Sequence, residues 1–99
     1  MKMHAPLHPG ELIRQVYLEP LGISANRAAA HLGVVPSTFG RLLLGTSDVS
    51  PMMAMRLSRV FGRTPESWLA MQNNFDLWKN KKALKANETT PIPEVVAAI

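Results

Sequence analysis

The placement of proline and glycine constrains this chain more than any other feature. Pro9, Pro36, Pro51 and Pro65 each stand at the start of a segment whose apolar residues recur at three- and four-residue spacing, and Gly22, Gly33, Gly45 and Gly62 stand at or just past the ends of such segments. Proline at the first helical position sacrifices no hydrogen bond, because its N–H would have no partner within the helix. Glycine past the last turn accepts the left-handed conformation that stops a helix. The punctuation predicts five short helices. The first covers about 9–18 and is stopped by Glu19-Pro20-Leu21-Gly22. The second starts at the N-cap Ser24 and ends at Gly33, and the third runs from Pro36 to near Leu44. The fourth follows Ser50 and Pro51 as far as Gly62, and the fifth follows Thr64 and Pro65 towards Lys79.

Helical periodicity gives each helix an inward face. Leu12, Ile13, Val16 and Tyr17 form it in the first; Ala25, Ala28, Ala29 and Leu32 in the second; Met53, Ala54, Leu57, Val60 and Phe61 in the fourth. No run alternates with period two and no segment repeats, so the expected fold is all-α. At 99 residues the chain supports one core, and 46% hydrophobic against 18% charged residues is the composition of a folded domain. That domain is expected to span residues 1–78, followed by a C-terminal extension over 79–99. After Trp78 come Lys79, Lys81, Lys82 and Lys85, then a small polar stretch broken by Pro91 and Pro93. We expect the helix to extend to about Ala86 and a flexible tail to follow, with Val95-Val96-Ala97-Ala98-Ile99 apolar enough to dock.

The formal charge is +4, with seven basic against five acidic residues up to Trp78 and four against two after it. So mild an excess raises a polyanion-binding reading only slightly, and the pattern of residues has to decide. There is no cysteine, hence no disulfide framework and no thiolate metal site, which is compatible with the cytoplasm. No apolar run has the roughly 18 residues of a membrane span, and the N-terminus lacks the apolar core of a secretory signal. His4, His8 and Glu11 have a spacing that suggests metal, but Pro6 and Pro9 interrupt any shared helix face, so no metal or other cofactor is expected. No nucleophile, base and orienting acid fall into a recognisable arrangement, and there is no phosphate-binding glycine loop. Enzymatic catalysis is therefore not expected.

The second and third helices carry the functional signal. Two short helices joined by a tight glycine turn make a helix-turn-helix, here over about 24–44, when a small residue lets them approach and the turn glycine takes positive φ. Ala29, Gly33 and Val34 suit those places, with Val34 plugging the turn into the core. Placing Phe39, Leu42 and Leu43 inward at about 100° per residue directs Ser37, Arg41 and Leu44 outward, with Thr38 and Gly40 on the flanks. Short leading residues followed one turn later by a long donor suit a helix entering the major groove. Arg41 can pair with guanine O6 and N7, Ser37 and Thr38 can reach bases or phosphates, and Leu44 can meet a thymine methyl. Pro36 and Arg27 complete the expected DNA-contacting set.

His8-Pro9-Gly10-Glu11, Tyr17-Leu18-Glu19-Pro20-Leu21-Gly22-Ile23-Ser24, Pro36-Ser37-Thr38-Phe39, Arg41-Leu42-Leu43, Pro65-Glu66-Ser67-Trp68-Leu69 and Gln72 together resemble the HigA family of antitoxins, in the Xre class of helix-turn-helix proteins. The likeness runs from His8 to Trp78 in order. It implies a five-helix, lambda-repressor-like domain that dimerises, represses its own promoter through a palindromic operator in double-stranded DNA, and neutralises a co-encoded RelE-like toxin of the HigB type that cleaves messenger RNA. The chain departs from the family where Leu44 replaces the usual asparagine, where Thr46 and Ser47 replace arginines, and where Gly40 replaces a common serine. Less phosphate anchoring is carried over there. A homodimer reading half-sites about 34 Å apart would supply the affinity one copy lacks, and Met71, Phe75 and Trp78, in a heptad-like series with Trp68, are its expected interface. The alternatives are a solitary Xre-type regulator, or a protein-interaction module that has lost DNA binding.

Overall fold

The computed structural model describes residues 5–81 and 83–98. The readings made on the N-terminal four residues, His4 among them, and on Lys82 and Ile99 lie outside the described residues. Helix α1 occupies residues 9–21 in three consecutive registers: α over Pro9–Leu12, π over Ile13–Leu18, and a last α turn over Glu19–Leu21. The π register corrects two expectations. First, its wider turn brings the chain back to the core after five residues, so Ile13 and Leu18 are buried while Val16, inward in an α register, is 45% exposed. Second, the helix expected to end near residue 18 runs on through Glu19, Pro20 and Leu21 and stops only at the last residue of the expected Glu19-Pro20-Leu21-Gly22 stop. The Glu19 N–H reaches back five residues to the Arg14 carbonyl, the wide turn accommodates the Pro20 ring, and the helix ends at Gly22, where φ is 63°.

Four further helices complete the domain: α2 over Ala25–Leu32, α3 over Pro36–Leu43, α4 over Pro51–Phe61 and α5 over Pro65–Asn80. Three of the anticipated caps form. The hydroxyls of Ser24, Ser50 and Thr64 accept from the N–H groups of Arg27, Met53 and Ser67, each at 3.1 Å. The core lies between the five helices, with Ile13, Phe39, Leu42, Ala54, Leu57 and Trp68 fully enclosed. Ala25 is exposed, since the first position of α2 projects past the edge of that core. Trp68 satisfies its indole N–H on the Gly62 carbonyl at 3.0 Å, which fixes the corner between α4 and α5.

The C-terminal part differs from expectation. α5 stops at Asn80, short of Ala86, and a sixth helix, α6, forms over Pro93–Ala97. The described residues beyond Asn80 are all exposed, and a helix without a buried face is marginal. Every described residue from 83 to 98 is exposed. Among the described residues there is no strand, and no helix is long and apolar enough to cross a membrane.

Candidate nucleic-acid interface

The junction of α2 and α3 closes with two backbone bonds of opposite reach. Val34 N–H donates to the Ala29 carbonyl at 3.1 Å and Gly33 N–H to the Ala30 carbonyl at 3.2 Å, with Gly33 at φ 74°. This is the Schellman arrangement, and it places half-buried Val34 against the core beside fully buried Ala29. The turn thus forms as its residues require. α3 ends in the same way, with Thr46 N–H on the Arg41 carbonyl and Gly45 N–H on the Leu42 carbonyl, both at 3.0 Å, and Gly45 at φ 76°.

Between these turns α3 presents the expected face. Phe39 and Leu42 are buried and Leu43 packs against the core, while Pro36, Ser37, Arg41 and Leu44 are exposed and Thr38 and Gly40 are half-buried at the flanks. No side chain caps the start of α3, so its dipole faces outward beside Ser37 and Thr38. Among the described residues Arg41 makes no ion pair, which leaves its guanidinium available to a ligand. Thr46, standing where the family has a basic residue, turns its hydroxyl back to the Arg41 carbonyl at 3.1 Å. Arg27 is exposed on α2 but lines a groove with Tyr17, Leu21, His31 and Phe61, so the structure does not gather it with the α3 set.

α3 is seated against α1, and contacts from α5 and α4 fix the segments on either side of it; these contacts escape any local reading of the sequence. α1 approaches so closely that a Cβ on Gly10 would fall on the Leu42 carbonyl. His8 caps α1 by accepting the Gly10 N–H on Nδ1 at 3.0 Å, while its ring packs edge-on against Phe75, with centroids 5.1 Å apart, and its Nε2 lies 3.9 Å from the Asp48 carboxylate. From α5, buried Gln72 accepts the Val49 N–H at 2.9 Å and donates to Asp48 at 3.1 Å and Asp76 at 3.0 Å, pinning the loop that leaves α3. From α4, Arg56 donates to the Leu32 carbonyl at 2.8 Å, occupying the open carbonyl end of α2. Of these residues His8, Gly10 and Gln72 belong to the motifs that carry the family likeness, and Arg56 carries no signal except as a cation inside an apolar helix face.

The expected dimer residues divide. Met71 packs against the core and Phe75 is half-buried against His8, so each offers only part of its surface; Trp78 is 43% exposed and its neighbour Leu77 is 70% exposed. The free apolar surface of α5 therefore lies at its C-terminal end.

No family model matches the chain, but individual proteins do. It is 41% identical over 71 residues to virulence-associated protein I of Dichelobacter nodosus, covering 72% of this chain and 66% of that protein, just under two thirds of its length. It is 36% identical over 76 residues to antitoxin HigA-1 of Vibrio cholerae, covering 77% of this chain and 71% of that protein. Among solved structures, antitoxin GraA superposes with a TM-score of 0.77 at 38% identity, over 82% of this chain and 87% of GraA. Antitoxin HigA of Pseudomonas aeruginosa, solved with higBA promoter DNA, superposes with a TM-score of 0.76 at 28% identity, over 88% of this chain and 98% of that one. The sequence match, the shared fold and the motif residues placed around α3 agree that this chain belongs to the HigA family of helix-turn-helix antitoxins.

Proposed function

We propose that the protein is a sequence-specific DNA-binding autorepressor that acts as a homodimer on a palindromic operator and also neutralises a co-encoded, RelE-like, messenger-RNA-cleaving toxin in the cytoplasm. It works by binding and has no catalytic role of its own. The observation that carries the DNA reading is the outward face of α3: Ser37, Arg41 and Leu44 exposed together on a helix seated against α1 and α2, with the loop that leaves it pinned from α5. A reading helix needs this combination, because base discrimination comes from donors held in register and a helix free to rock loses it. A relative at 28% identity has been solved with promoter DNA, which supports DNA binding here.

In this reading Arg41 donates its two terminal nitrogens to one guanine, contributing about 1–3 kcal/mol of discrimination per half-site. Ser37 and Thr38, with the uncapped first turn of α3, bind phosphate or base edges beside it. Thr46 and Ser47 bring no positive charge, so fewer phosphates are neutralised than by relatives with arginines there. A mobility shift on the DNA upstream of the protein's own gene tests this reading. Binding should appear at low salt and weaken steeply as salt rises, and the absence of any shift at low salt contradicts DNA binding. Relief of toxin-induced growth arrest on co-expression with the adjacent reading frame tests the antitoxin role, and unrelieved arrest contradicts it.

A further inference from the structure

Among the described residues two apolar surfaces have no partner, and they match each other. One is a groove at the C-terminal end of α5, lined by Pro6, Leu77, Trp78 and Leu84 with Lys81 at its rim. The other is α6 with its N-cap residue, where Ile92, Val95 and Val96 recur at three- and four-residue intervals, all exposed. The only ionised side chain of α6 is Glu94, opposite in sign to Lys81 and to its neighbours Lys79 and Lys85. Pro91 and Pro93 flank Ile92 and restrict the approach to α6, which lowers the ordering cost of docking it. The tail does not fold back onto its own groove, and the molecule extends 53 Å in one direction against 29 and 24 Å in the others. A surface and its complement carried on one chain, yet apart, give a self-complementary pair when two copies meet about a twofold axis.

We propose that α6 of each copy docks in the Leu77/Trp78 groove of the other, so that the dimer is closed by reciprocal exchange of C-terminal tails. This rests on the dimer reading above and specifies its interface. The chain has no cysteine, which makes disulfide trapping unambiguous. Full-length L77C and V96C variants, mixed and oxidised, should form an interchain 77–96 disulfide identified by peptide mass, and the L77C/V96C double variant should run as a covalent dimer. In full-length protein with unchanged helical circular dichroism, Val95→Asp with Val96→Asp should weaken dimerisation at least about tenfold in sedimentation. A double variant that bridges within one chain, or a dimer that is insensitive to the aspartates and forms no 77–96 bridge, overturns tail exchange while leaving dimerisation intact. A wild-type chain that stays monomeric at every concentration that binds DNA overturns the dimer reading itself.

Discussion

Replacing Gly10 and Gly40 by alanine should have opposite effects on stability, and the contrast tests how α3 is seated. A Cβ on Gly10 would overlap the Leu42 carbonyl oxygen and lie 2.7 Å from its carbon and 2.9 Å from the Leu43 Cα. All three neighbours are backbone, so no side chain can rotate aside, and α1 and α3 must separate by more than about 1 Å to restore an ordinary contact. Overpacking of this kind costs about 1–3 kcal/mol, and in a domain of this size each kcal/mol lowers the Tm by roughly 4–8 °C. Gly40 has no atom within 4 Å of its Cβ position, so alanine there gains about 0.5–1 kcal/mol of helix propensity and raises the Tm by a few degrees. Thermal unfolding by circular dichroism measures both. Operator affinity should fall for Gly10→Ala as α3 is displaced, and for Gly40→Ala only if the α3 backbone lies close against the DNA. If Gly10→Ala melts within about a degree of the wild type, α1 does not seat α3 and the reasoning fails.

Three further substitutions probe the same frame. Val16→Lys should cost less than about 0.5 kcal/mol while Leu18→Ala costs about 2–5 kcal/mol; the reverse order in urea unfolding would show that α1 keeps an α register throughout. Gln72→Leu strands the Val49 N–H and removes a donor from Asp48, so it should lower stability by about 1–3 kcal/mol and speed amide exchange at Val49. Unaltered exchange there would show that Gln72 does not hold the loop. Arg56→Met keeps the apolar stem but releases the Leu32 carbonyl, and is expected to cost about 1–2 kcal/mol by the same unfolding assay.

Local chemistry explains what was legible in the sequence. The caps at Ser24, Ser50 and Thr64 and the turns at Gly33 and Gly45 each depend on residues within five positions, and so does the phase of α3, where Phe39 and Leu42 set the inward side. The register of α1 was hidden because a fixed period of about 3.6 residues assigns Val16 inward, and only the buried pair Ile13 and Leu18, five apart, betrays the wider turn. The end of α5 was hidden because Lys79 to Ala86 favours helix intrinsically, while the loss of burial after Asn80 is a tertiary fact that no local pattern marks. The support of α3 was least visible. Gln72 meets Val49 and Asp48 across 23 and 24 positions and Arg56 meets Leu32 across 24, distances at which no local pattern survives. The family likeness marked His8, Gly10 and Gln72 without revealing that His8 caps α1, Gly10 lets α1 meet α3, and Gln72 pins the loop that leaves α3.

The central claim is that the exposed face of α3 reads DNA through Arg41. Its most direct test is fluorescence anisotropy of the protein's own operator with wild-type and Arg41→Ala protein at one fixed salt concentration, on wild-type DNA and on DNA changed at single guanines. Arg41 is exposed and makes no ion pair among the described residues, so the variant should keep its Tm while losing roughly five- to 150-fold in affinity per half-site. It should also stop discriminating at one guanine position in each half-site. Equal affinity and unchanged base preference in the two proteins would contradict the account.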